Sequence, residues 1–304
     1  MHHPDTTWPR AKGHAARRGA LAAMLAALSA ACSPLTGFNA LMPKDAGSHR
    51  LITGAAFGAA PRQKLDIYAP RRIAPGQHVP VIVFLYGGAW SSGERTGYGF
   101  VGRALAAQGF LVAIPDYRLV PQVRYPAFLQ DNASAIAWLR AHVAPLGGDP
   151  DRLVLVGHSA GAYNAAMLAL DPRWLGANRQ AVRGFVGLAG PYDFLPFAVP
   201  ASQEAFKGAP DPADTQPINH ASAGAPPALL ATAPDDTLVQ PRNSDALAAA
   251  LSAQGVPVER RSYGRVGHIG LITAFALPLR GRAGVLADTA AFARQVTGGA
   301  PVPR

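Results

Sequence analysis

Four aliphatic residues in a row, Leu153-Val154-Leu155-Val156, stop abruptly at Gly157-His158-Ser159-Ala160-Gly161, and an alanine-rich stretch follows. An apolar run without polar alternation suits a strand buried on both faces of a parallel sheet. The residues from Ala162 to Leu170 read as a helix that Asp171-Pro172 stops. Glycines at 157 and 161 let strand and helix meet at a tight angle, which lifts Ser159 above the sheet. Backbone strain at such a turn suits a functional site better than a plain connection. A G-x-S-x-G string arises readily by chance in a chain with 32 glycines, so the strand–turn–helix setting is what gives this one weight.

The same alternation runs through the chain. From Leu51 to Pro70 the pattern fits an opening hairpin, with Lys64-Leu65-Asp66-Ile67-Tyr68 alternating as an edge strand should. Continuous apolar runs follow at Val79–Leu85, Phe110–Ile114, Leu153–Val156, Gly184–Leu188 and Ala228–Ala231. Helical segments at 98–108, 126–142, 162–170 and 243–253 separate or follow them, and a last strand near 258–263 leads to a terminal helix. Val285, Thr289, Phe292 and Val296 share one face of that helix. Strands and helices alternating at these lengths imply βαβ crossovers and an α/β fold with a mostly parallel central sheet covered on both faces. The stretch 191–227 breaks the rhythm. It is long, rich in Pro, Ala and Gly, and carries Tyr192, Phe194, Leu195, Phe197 and Phe206, which fits either a short lid insertion or a packed surface excursion.

At 304 residues with 49% hydrophobic and 15% charged residues, the chain can bury one sizeable α/β core. The domain is expected over 49–298, after a linker at 32–48 and before a tail at 299–304. The net charge of +10 is no nucleic-acid footprint, because the arginines are scattered, singly or at most in pairs, instead of forming runs. Part of it belongs to residues 1–31, which read as an export signal with Arg10, Lys12, Arg17 and Arg18 ahead of an uncharged stretch from Gly19 to Ala31. That stretch is too short to span a membrane. The single cysteine, Cys32, follows at once and resembles the acylated cysteine of a bacterial lipoprotein, although Leu28 lies one step further back than such sites favour. The expected location is outside the cytoplasm, either anchored to a membrane through Cys32 or periplasmic or secreted. One cysteine excludes an intrachain disulfide framework.

A serine hydroxyl is a weak nucleophile and needs a base in reach and an acid to orient the base. His268 is the sole histidine after residue 236, in a glycine-flanked loop directly behind the last predicted strand. The run Leu229–Ala231 leads to Asp235 and Asp236, adjacent carboxylates of which one can face that histidine. The first central run, Val79–Leu85, ends in Tyr86-Gly87-Gly88-Ala89-Trp90, where glycines allow backbone N–H groups to approach a ligand closely. The backbone N–H groups of Gly88, Ala89 and Ala160 are the candidate oxyanion donors.

These phrases, together with Asp116-Tyr117-Arg118-Leu119, resemble the α/β-hydrolase superfamily over roughly residues 50–297. Within it they are similar to the carboxylesterase branch related to hormone-sensitive lipase and to small esterases and arylformamidase-like proteins. The resemblance implies a triad of Ser159, Asp236 and His268. It favours Asp236 over Asp235 because Asp236-Thr237-Leu238-Val239-Gln240-Pro241 matches an Asp-x-x-Val-x-Pro element, and it leaves Asp193 as a weaker competitor. One departure stands out: the family pattern begins His-Gly-Gly, and Tyr86 occupies the histidine's place. Backbone donors should survive that change, whereas the loop's supporting hydrogen bonds must differ. Asp116-Tyr117-Arg118 reads as scaffold.

The function implied is hydrolysis of a small-molecule ester through an acyl-enzyme, without a cofactor. The same machinery cuts amides, so a peptidase or arylformamidase-like activity stays open, as does a surface binding protein that kept the fold and lost catalysis. The histidines show no metal-ligand spacing, and His2-His3 belongs to the segment read as an export signal.

Overall fold

A computed structural model describes residues 34–298. The proposed export signal, Cys32 and the tail from 299 onward lie outside the described residues. Eight strands form one sheet: β1 (Ser48–Ala56), β2 (Lys64–Pro70), β3 (Val79–Leu85), β4 (Leu111–Pro115), β5 (Gly148–His158), β6 (Val182–Leu188), β7 (Ala228–Thr232) and β8 (Val258–Ser262). Their spatial order is β1-β2-β4-β3-β5-β6-β7-β8. β1 and β2 pair antiparallel, β2 joins β4 antiparallel, and every later pairing is parallel. This is the α/β-hydrolase fold.

The helices are α1 (Pro34–Leu41), α2 (Gly99–Ala106), α3 (Ala127–His142), α4 (Ala160–Leu170), the short α5 (Pro172–Leu175) and α6 (Pro200–Ala205), then α7 (Arg242–Ala253), α8 (His268–Thr273) and α9 (Val285–Thr297). Two apolar layers sandwich the sheet. Ile82, Phe84, Val154 and Val156 pack with Phe100 and Leu105 of α2 and Phe292 of α9. Val81, Val83, Leu153 and Leu155 point the other way, onto Leu139 of α3, Leu168 of α4 and Leu247 of α7. Continuous apolar strands are thus explained by two buried faces.

Two expectations change. Lys64–Tyr68 is not an edge strand: β1 takes the edge, β2 sits inside it, and Asp66 is fully buried. The apparent alternation comes from that carboxylate, which Arg95 Nε neutralises at 2.8 Å. Residues 32–48 are not simply a linker, because 34–41 form α1. Phe38 packs edge-on against Phe100, Thr36 donates to Glu94 at 2.8 Å, and the Asn39 side chain accepts from the Phe100 N–H. The stretch 191–227, for which a lid insertion and a packed excursion both stood open, is packed against the domain. It holds α6 and two 3-10 turns, with Phe206 and Tyr192 buried in the core. No helix among the described residues is long and apolar enough to cross a membrane.

Candidate active site

The carboxyl ends of β3, β5, β6, β7 and β8 carry the loops of interest, which is where ligands gather in open parallel sheets. β5 lies between β3 and β6, with Leu85 opposite Gly157 and His158 opposite Leu188. At its end Ser159 turns the chain with φ 55° and ψ −124°, and α4 starts at the next residue. Both glycines of the turn are sterically required. A Cβ on Gly157 would lie 2.2 Å from the Gly161 carbonyl oxygen, and one on Gly161 would lie 2.0 Å from that of Leu85.

Backbone strain is concentrated at this edge. Among the described residues, the non-glycine positions with positive φ are Ala89, Trp90, Ser159, Ala189 and Arg265, and each follows the carboxyl end of a strand. Conformations of this kind cost on the order of 1–3 kcal/mol apiece and persist only where surrounding packing over-determines them.

Of the acidic candidates, Asp235 is exposed and Asp236 is buried. Asp236 Oδ2 lies 2.7 Å from His268 Nδ1, and its Oδ1 accepts the N–H groups of Leu238 and Val239, each at 2.9 Å. The carboxylate is therefore held at both oxygens. With Nδ1–H directed at a carboxylate, the other ring nitrogen, Nε2, is left as an acceptor. Asp193 is not in this cluster; its main-chain N–H donates to Asn243 Oδ1.

Ser159 is half-buried, and its hydroxyl has no hydrogen-bond partner among the described residues. It stands next to His158, whose ring lies 4.7 Å centroid to centroid from that of His268. The turn after β3 closes on the same point, for a Cβ on Gly87 would lie 2.9 Å from Ser159 Cβ. Gly88 adopts φ 125°, and the N–H groups of Gly88 and Ala89 meet no protein acceptor among the described residues. Ala160 opens α4, so its N–H is one of the helix's unbonded first-turn donors.

Tyr86 answers for the missing histidine. Its hydroxyl donates to Asp116 Oδ1 at 2.7 Å and accepts from Arg62 at 2.9 Å, while Arg62 also donates to the Gly93 carbonyl at 2.7 Å. Arg95 binds Asp116 through both its backbone N–H and its guanidinium. Tyr117 donates to the Tyr86 carbonyl at 2.9 Å, and the Tyr86 ring is stacked between Tyr98 and Tyr117. Burial beside Asp116 pushes the Tyr86 phenol well above its ordinary pKa, so it stays neutral and donates. Arg62 and Arg95 are distant in sequence from the turn they brace, and no local pattern pointed to them.

A wall of rings flanks the turn. Trp90 Nε1 donates to buried Asn164 Oδ1 at 3.2 Å, and its ring meets Phe128, Tyr163, Phe194 and Phe206. Phe194 and Phe206 bring the 191–227 excursion into this wall, while Tyr163 secures it by donating to the Thr215 carbonyl at 2.8 Å. Among the described residues no group of three or more His, Cys, Asp or Glu side chains could hold a metal ion.

Residues 65–251 match the BD-FAE family. The chain belongs to that family. Among curated relatives of this BD-FAE protein, esterase LipC of Mycobacterium tuberculosis is 37% identical over 45% of the chain and 36% of its own length. A probable isoprenylcysteine alpha-carbonyl methylesterase of Oryza sativa subsp. japonica is 33% identical over 48% of the chain and 36% of its own length. The BD-FAE chain thus spans about a third of these relatives. Esterase B from Lactobacillus rhamnosis, as a phosphonate-inhibited crystal structure, superposes with a TM-score of 0.75 at 20% identity, covering 94% of this chain and 97% of that one. At that identity the likeness concerns the fold.

Proposed function

We propose that this protein is a serine carboxylic-ester hydrolase. The observation that carries the reading is the buried Asp236–His268 hydrogen bond of 2.7 Å, in a loop packed against a strained elbow that presents Ser159. In the proposed cycle His268 Nε2 takes the Ser159 proton as Oγ bonds to the ester carbonyl carbon. The oxyanion formed is stabilised by the N–H groups of Gly88, Ala89 and Ala160. Collapse breaks the bond to the alcohol, which leaves with the proton from His268. Water then gives a proton to His268 and attacks the acyl-enzyme, releasing the acid and restoring Ser159. Asp236 keeps its charge throughout and stabilises the imidazolium. The relatives' names, esterase and methylesterase, agree with ester cleavage.

Hydrolysis of short p-nitrophenyl esters tests the reading. Ser159→Ala should lower kcat by roughly 10³-fold or more, as loss of a nucleophile does; equal turnover by the two proteins refutes it. The export and anchoring of the chain through Cys32 belong to the same proposal. Replacing Cys32 with Ser should release the protein from the membrane fraction, and retention there counts against acylation.

A further inference from the structure

A second histidine lies buried beside the elbow, and the proposed cycle makes no use of it. His158 is 2% exposed, and its Nε2 is 3.0 Å from the main-chain oxygen of His268. A carbonyl only accepts, so this nitrogen carries the proton and Nδ1 is left as a bare lone pair. Nδ1 has no partner among the described residues. That side of the ring faces the turn after β3, where a Cβ on Gly87 would lie 3.3 Å from Nδ1. One imidazole therefore touches the loop of His268 and the turn of Gly87 while forming part of the Ser159 elbow. Burial and the neighbouring His268 hold it neutral, with a pKa pushed down to about 3.

Placing a polar ring here costs desolvation that an apolar side chain of similar size would avoid. What the ring adds is a donor aimed at one carbonyl. His268 is consequently held twice, through its ring by Asp236 and through its main chain by His158. We propose that His158 is a positioning residue, whose Nε2–H holds the His268 backbone so that the base stays aimed at Ser159. This rests on the reading of Ser159, His268 and Asp236 given above.

The test compares His158→Phe, which keeps an aromatic ring and loses the donor, with His158→Gln, whose amide can donate from nearly the same point. Each full-length protein is assayed for kcat and KM on p-nitrophenyl acetate and for the rate at which a phosphonate labels Ser159. For His158→Phe we expect kcat and the labelling rate to fall about 10–100-fold with KM within twofold, because small misplacement of reacting groups costs up to about 10²-fold. His158→Gln should recover to within about threefold of wild type. Wild-type kcat in His158→Phe, or equal losses in both variants, overturns the positioning role. Should His158→Phe fail to fold, His158→Leu takes its place with the same criteria. A wild type that the phosphonate does not label at Ser159 overturns the underlying reading instead, so the two failures are distinguishable.

Discussion

Asp236→Asn should abolish catalysis while leaving the fold nearly intact, and the reason lies in which way the new amide must face. Oδ1 of Asp236 accepts two backbone N–H groups and Oδ2 faces His268 Nδ1. An amide offers an oxygen to only one of these sides. Turning NH2 toward the backbone would strand two donors at about 1–3 kcal/mol each, a total of about 2–6 kcal/mol. Turning it toward the histidine requires only that the imidazole move its proton from Nδ1 to Nε2, which costs less. The oxygen therefore stays on the backbone, and His268 presents Nε2–H to Ser159 and cannot take its proton. A wrong tautomer of this kind costs about 10⁴-fold in kcat. Stability should fall by only about 1–2 kcal/mol, as a charged acceptor becomes a neutral one. Steady-state hydrolysis of p-nitrophenyl acetate and urea unfolding measure the two effects, with exposed Asp235→Asn as the control expected within twofold of wild type. More than a tenth of wild-type kcat in Asp236→Asn, or a comparable loss in Asp235→Asn, refutes the argument.

Tyr86→Phe removes a buried phenol that donates to Asp116 and accepts from Arg62. It should cost about 1–3 kcal/mol in urea unfolding, with kcat within about threefold because the proposed oxyanion donors are backbone groups; a hundredfold fall in kcat at unchanged stability would contradict this. Acid should weaken the fold through His158, whose pKa is about 3 when folded against an ordinary 6.5. Between those values the unfolded chain binds a proton that the native state refuses, so stability drops by about 1.4 kcal/mol per pH unit as pH falls from 6.5 toward 3. Urea titrations at pH 4, 5 and 6 should show a shallower slope in His158→Gln, and an identical slope would count against the assignment.

The elements easiest to anticipate were those whose signal is local. The run at Leu153–Val156 with its flanking glycines announced a buried strand and a sharp turn, and β5 and α4 meet there as expected, although the strand extends from Gly148 to His158. The edge of the sheet is hard to read from sequence because a buried Asp66 mimics polar alternation, and only its distant partner Arg95 shows that the carboxylate points inward. Residues 34–41 carried no marked pattern of their own. Their helix is stabilised by Phe100 and Glu94, some sixty residues away.

The candidate site divides in the same way. Chain order and glycine spacing point to Ser159, His268 and the turn at Gly87-Gly88 as candidates, because tight turns demand particular residues wherever they fall. Which of two adjacent carboxylates a loop buries is a tertiary matter, and the structure sets Asp236 on His268 Nδ1 and Asp235 in solvent. The bracing of Tyr86 by Arg62, Arg95 and Asp116, and the contact of His158 with the His268 carbonyl, join residues up to 110 positions apart. Such contacts have no sequence period, because they form only when separate strands bring their ends to one edge of the sheet.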